Sequence, residues 1–151
     1  MQLAMQARKD YDFVLRSARW AEDNGLSAFA LPDHYLARGS EPERPGYDHL
    51  VHLAGLARET DTIELVCMVA PVLFRHPAVL YKMGVTIDEM SSGRLTLGVG
   101  AGWLEEEFTM YGLPYPDTGE RFDMLEEAME YLRNAIDPGA QGFEGEHYRL
   151  A

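Results

Sequence analysis

The sequence is short of cysteine, of basic residues and of long apolar runs, and each shortage removes a class of protein. Cys67 is the single cysteine among 151 residues, so no intrachain disulfide framework can form and a reducing cytoplasm is the expected location. Lysine and arginine total 13 against 25 acidic residues, a formal net charge of −12. Phosphate backbones and anionic membranes are held by basic patches, so neither nucleic acid nor a membrane is an expected partner. No apolar run nears the ~20 residues that cross a bilayer, and the N-terminus lacks a charged-then-apolar leader pattern. No Gly-Lys-Ser/Thr follows the glycines around residue 100, which removes a Walker-type phosphate loop.

What is present is globular. The hydrophobic fraction is 46% and the charged fraction 25%, enough for one domain, residues 1–151, with a sizeable core. Periodicity alternates between strand and helix. Residues 1–6 suit a first strand, and Tyr11, Val14, Leu15, Ala18 and Ala21 recur at helical spacing until Asn24-Gly25 stops them. Residues 27–31 read as a second strand, followed by a polar loop over 38–46 and a helix marked by Leu50, Leu53, Ala54 and Leu56. The third strand is expected over 63–68. Pro77 suits the first turn of the next helix, where its missing N–H costs nothing. That helix ends at Ser91-Ser92-Gly93, a fourth strand covers 94–99, and Phe122, Leu125, Ala128, Met129 and Leu132 stripe a long fourth helix. Residues 142–149 read as a small exposed hairpin.

Four strand–helix units in a row imply a parallel sheet with helical crossovers. Periodicity does not separate an open doubly wound sheet from part of a barrel. Both gather their sites at the C-terminal ends of the strands.

Those ends carry few chemical groups. The second strand runs into Asp33-His34. A histidine there could move a proton near neutral pH, or Asp33 could cap a turn with His34 merely packed beside it. The fourth strand runs into Gly98-Val-Gly-Ala-Gly-Trp103, where glycine lets backbone approach a planar ligand or an anion. Trp103 stands where a dinucleotide fingerprint needs its third glycine, and a tight turn without ligand explains the run equally. Glu105, Glu106 and Glu107 suit a helix N-terminus through the macrodipole, and Glu106 could also face a site. His49 and His52, three apart, have a metal-capable spacing, but no ligand cluster joins them, so they are expected to be a surface pair and no metal is expected. Cys67 has no basic neighbour and reads as a small buried residue rather than a nucleophile.

Taken together, Leu31-Pro-Asp-His34, Ala70-Pro-Val-Leu-Phe-Arg-His-Pro-Ala-Val-Leu80, Ser92-Gly-Arg-Leu-Thr-Leu-Gly-Val-Gly-Ala-Gly-Trp103 and Gly119-Glu-Arg-Phe122 resemble the luciferase-like flavin oxidoreductases, most closely the branch using the deazaflavin coenzyme F420. The resemblance extends over essentially the whole chain. It implies a TIM-like (β/α)8 barrel with the flavin bound across the strand C-termini. A complete barrel needs roughly 250 residues, so the expectation is its first four β/α units, a half-barrel, followed by the hairpin-like tail. A truncated product, a fragment, or a half-barrel that pairs with something would each fit that length, and a homo-oligomer is expected because a half-barrel leaves unpaired parallel edges.

The resemblance also implies roles. Asp33 and His34 would lie beside the reactive part of the ring and serve catalysis, with Glu106 near the substrate. Ala101, Gly102 and Trp103 would form one wall for the cofactor. Cys67 and Met68 would support it from behind, joined by a non-prolyl cis peptide bond, while Arg75 and His76 would orient the loop into the third helix. The expected activity is hydride transfer between F420 and a small organic substrate. The alternatives are an FMN-dependent monooxygenase and a catalytically silent binding or assembly module.

Overall fold

A computed structural model describes residues 2–4 as backbone and residues 10–36 and 46–151 in full. The remainder of the expected first strand, and residues 38–45 of the expected polar loop, lie outside the described residues. The elements are β1 (Gln2–Ala4), α1 (Tyr11–Asp23), β2 (Ala28–Leu31), α2 (His49–Glu59), β3 (Glu64–Pro71), α3 (Pro77–Met90), β4 (Leu95–Gly100), α4 (Glu105–Tyr111), α5 (Thr118–Ile136), β5 (Phe143–Glu144) and β6 (Arg149–Leu150). The first four strands form one sheet in the order β1-β2-β3-β4, with β1–β2 and β2–β3 paired in parallel. The alternation read from the sequence is therefore an α/β fold on a parallel sheet. The third strand runs three residues further than expected, to Pro71. The seven-residue α4 stands as a helix of its own before α5, because Gly112 takes a left-handed φ of 66° and its N–H turns back to Thr109.

The chain divides into two compact units, residues 1–70 with 84–98 and residues 71–83 with 99–151. In the first, α1 buries Val14, Ala18 and Ala21, α2 buries Leu50, Leu53, Leu56 and Ala57, the strands contribute Phe29, Leu31 and Leu65, and Ile63 is buried just before β3. Each helix starts from an aspartate, Asp10 before α1 and Asp48 before α2, whose carboxylate accepts an N–H of the first turn. Gly25, at φ 70°, closes α1 as Asn24-Gly25 predicts.

The start of β3 is held by Glu22, whose carboxylate accepts the N–H groups of Asp61 at 3.0 Å, Thr62 at 2.6 Å and Ile63 at 2.8 Å. Burial works against its charge, but those N–H donors outweigh it and hold the carboxyl below its ordinary pKa. The start of β4 is held by Arg94. Its Nη1 donates to Ile63 O and Thr60 Oγ1, its Nη2 to the carbonyls of Ala57 and Thr60, and its Nε to Ser91 O. The guanidinium thus satisfies carbonyls at the end of α2, which no helical N–H can reach.

In the second unit, Val72, Ala128, Tyr131 and Tyr148 form a buried cluster joined by Ala78, Val99, Met124, Leu125, Phe143 and Leu150. The β5–β6 hairpin is present as expected, but it is not wholly exposed, because Tyr148 packs into this cluster. Glu127 of α5 clasps the hairpin turn, accepting the N–H groups of Glu146, His147 and Tyr148 at 2.7, 2.8 and 3.1 Å. His76 caps the first turn of α3, its Nδ1 accepting from Ala78 N at 3.1 Å, and its ring meets Tyr131 and Tyr148 edge-on.

Candidate functional site

In the first unit, the register of two strands brings the expected site residues together. Leu31 of β2 pairs with Cys67 of β3, so Asp33-His34 and Met68-Val69 each follow the last β2–β3 pair, at the same end of adjacent strands. Asp33 is fully buried and His34 partly so. Cys67 is fully buried as well, and the next two residues are not. Met68 is 49% and Val69 42% exposed, although Leu65–Cys67 before them and Ala70-Pro71 after them are buried. An exposed apolar pair inside a strand interrupts the burial of its neighbours and is the feature of β3 that folding alone does not require.

The non-prolyl cis peptide lies between Met68 and Val69, one bond later than expected at Cys67–Met68. Cys67 is still engaged in the ladder with Leu31, so the irregular peptide falls beyond the last residue of β3 that pairs with β2. Val69 is accordingly exposed, as is Met68 before it. Its neighbour on β4 is Gly98, where a Cβ would press on the Cys67 carbonyl and the Val69 side chain.

In the second unit, Ala101 and Gly102 are half-buried and Trp103 is 61% exposed. Gly102 has φ 77°, and a Cβ there would meet the Phe108 ring at 3.0 Å, so glycine is required on two counts. Tyr115 donates its hydroxyl to the Trp103 carbonyl at 3.2 Å, stacks on Phe108, and is covered by the Arg121 guanidinium 4.2 Å from its ring. Arg121 of the Gly119-Glu-Arg-Phe122 motif therefore steadies the Trp103 turn from behind. Glu106 is exposed and lines an open concavity of about 500 Å³ with Glu105, Thr109 and Met110, while Glu107 is buried.

His49 and His52 are not the surface pair that their spacing suggests. Both are buried, His49 completely, and their rings meet at right angles with centroids 5.3 Å apart. Tyr11 and Tyr47 pack on His52 at 5.5 and 5.4 Å. Burial, followed by the charges of His52 and His34 and opposed by Asp48, lowers the pKa of His49 to about 4. The missed signal was Gly55, on the same helix, where a Cβ would overlap the Tyr11 ring and hydroxyl. Among the described residues no group of three or more His, Cys, Asp or Glu is placed to hold a metal ion, and no helix is long and apolar enough to cross a membrane.

The luciferase-like monooxygenase family model matches residues 1–151. The chain belongs to that family. An F420-dependent glucose-6-phosphate dehydrogenase from Kineococcus radiotolerans is 33% identical over 135 residues, 86% of this chain and 38% of that protein. The pyrimidine monooxygenase RutA from Methylorubrum extorquens is 32% identical over 153 residues, 97% of this chain and 40% of that protein. Among solved structures, the oxygenating constituent of 3,6-diketocamphane monooxygenase from Pseudomonas putida, in complex with FMN, superposes with a TM-score of 0.78 at 22% identity, over 99% of this chain and 43% of that one. This luciferase-like chain thus spans less than half the length of each, and its relatives include both an F420-dependent dehydrogenase and a monooxygenase.

Proposed function

We propose that this chain supplies four β/α units of a (β/α)8 barrel in an F420-dependent oxidoreductase that moves hydride to or from a small organic substrate. The observation that carries the reading is the Leu31–Cys67 register, which sets a buried carboxylate and a histidine beside the exposed apolar pair Met68-Val69. That combination fits a flat tricyclic coenzyme, since an apolar ring needs dry support and its reacting edge needs polar neighbours. The coenzyme, when bound, supplies the two-electron chemistry. Met68 and Val69 would carry the ring and keep water from it, with Cys67 packed behind them. His34 would hold or release a proton at an imidazole nitrogen as charge develops on a substrate oxygen, and Asp33 would orient it. Ala101, Gly102 and Trp103 would give further coenzyme contacts, and Glu106 would serve the substrate side.

The similarity to pyrimidine monooxygenase RutA and the FMN complex of a second relative support FMN-dependent monooxygenation as the second reading. Fluorescence titration of the purified chain with F420 and with FMN separates the two. Saturable binding of F420 in preference to FMN is expected, the reverse preference selects the monooxygenase, and binding of neither overturns both for this chain. His34→Ala should leave coenzyme affinity within about twofold while lowering turnover roughly a hundredfold; an undiminished turnover removes His34 from the reaction.

A further inference from the structure

Trp103 combines an exposed side chain with a restrained backbone. Its indole is 61% exposed, yet the residues on either side of it are packed. Gly102, at φ 77°, lies so close to the Phe108 ring that a Cβ would meet it at 3.0 Å. Leu104, the N-cap of α4, is buried. Glycine leaves the intervening peptide free to turn, and a restraint on it comes from the Tyr115 hydroxyl, which donates to the Trp103 carbonyl at 3.2 Å. A large aromatic ring carried towards solvent on an ordered turn loses little freedom on binding, which suits a ligand contact.

Tyr115 is itself held from behind. It lies in the loop between α4 and α5, its ring 5.0 Å from that of Phe108 and 4.2 Å from the Arg121 guanidinium carbon. Arg121 donates through Nη1 to the Pro116 carbonyl at 2.8 Å and through Nη2 to Thr118 Oγ1 at 3.2 Å. One planar fork therefore ties the residue after Tyr115 to the first turn of α5. Its Nε is buried and makes no hydrogen bond among the described residues. Burying an unmet donor gains nothing for a loop by itself; what the arrangement secures is the guanidinium plane over the Tyr115 ring. The contacts run from Arg121 to Tyr115 to Trp103, all within the second unit.

We propose that Tyr115 and Arg121 are positioning residues for coenzyme binding, holding the Gly102-Trp103 turn so that the indole meets a flat aromatic coenzyme already ordered. This rests on reading Trp103 as a coenzyme contact. The Tyr115 hydroxyl acts through the Trp103 carbonyl, and Arg121 acts through the Tyr115 ring and the Pro116 carbonyl. The Gly119-Glu-Arg-Phe122 motif thereby serves the coenzyme without touching it.

Fluorescence titration of variants with F420 and with FMN tests these roles. Tyr115→Phe removes one oxygen and keeps the ring packing, so the unfolding midpoint should stay within about 2 °C while affinity for the preferred coenzyme falls about fivefold. Arg121→Lys keeps the charge but loses the fork and should lower affinity about threefold. Trp103→Ala should lower affinity about tenfold. Adding Tyr115→Phe or Arg121→Lys to Trp103→Ala should cost nothing further, because a residue that acts through the indole has no effect once the indole is gone. Equal losses with and without the indole would mark residues that only stabilise the fold, and they overturn the positioning role. So does a Tyr115→Phe affinity within about twofold of the parent chain. A second measurement needs no coenzyme. In the chain labelled with nitrogen-15, the amides of Trp103 and Leu104 should show order parameters near about 0.85, lowered by about 0.1–0.2 in Tyr115→Phe. Unchanged values in the variant also overturn the role. If the parent chain binds neither F420 nor FMN, the proposed function fails, while amide order still decides whether Tyr115 holds the turn.

Discussion

Where β3 and β4 begin, Glu22 and Arg94 collect backbone partners from three segments, and Arg94 alone makes five hydrogen bonds. Beyond the β2–β3 ladder, within the same unit, the buried His49 ring makes no hydrogen bond among the described residues and Met68 and Val69 are exposed though apolar. One end of the strands satisfies the polar groups it encloses, and the other leaves both polar and apolar groups in the environment that suits them least. A fold under no demand beyond stability has no reason for that asymmetry. In parallel α/β architectures the first end serves stability and the second serves function, and this contrast supports seeking the chemistry around His34.

The contrast can be broken most severely at Arg94. Arg94→Ala leaves the carbonyls of Ala57, Thr60 and Ile63 without their donor and should lower unfolding free energy by about 3–4 kcal/mol in urea titrations. Arg94→Lys should recover less than half, because an ammonium cannot span the same carbonyls as the planar fork. A loss below about 1 kcal/mol would mean that this end is not the anchored one.

The opposite end is sharpened by acid. His49 titrates near 6.5 when unfolded and at about 4 when folded, so between those values the unfolded chain binds the extra proton. The stability its burial leaves intact above pH 6.5 should therefore decline as pH falls towards 4 and level off below, by about 3 kcal/mol in all. His52 is shifted the same way by burial and adds to the decline. Unfolding midpoints across that window should flatten in His49→Phe; an equal slope in the variant would locate the titration elsewhere.

Glu22 gives the smallest effect. Its carboxyl is held below the ordinary value, so its contribution is full above about pH 4.5 and is lost as pH falls through the depressed value. Glu22→Gln should cost about 1 kcal/mol at neutral pH, discounted for partial exposure, and should reduce the acid sensitivity of unfolding below pH 4.5. An unaltered acid limb would assign that sensitivity to other carboxylates, such as Glu127.

Most of the fold was legible because its signals are local. Asn24-Gly25, Pro77 and Ser91-Ser92-Gly93 end or begin helices through backbone geometry that neighbouring residues decide, and Gly25 and Gly93 do adopt positive φ. Of the candidate site, Asp33 and His34 were read at a strand end and Met68 came only through the family resemblance, whereas the exposure of Met68 and Val69 depends on how β3 runs beyond its ladder with β2. The histidines of α2 were misread because three-residue spacing says nothing about what covers a helix. Here the cover is Tyr11, supplied from α1, and the space for its ring is made by Gly55.

The sequence by itself determined the alternation of strands and helices, the acidic surface charge, and the family, since each is written in periodicity, composition or contiguous motif. Only the tertiary structure decided which residues of β3 face solvent, that Arg94 anchors the end of α2, and that His49 is enclosed. Burial and hydrogen bonding between residues dozens of positions apart depend on packing, and packing carries no signature in the order of residues along one helix.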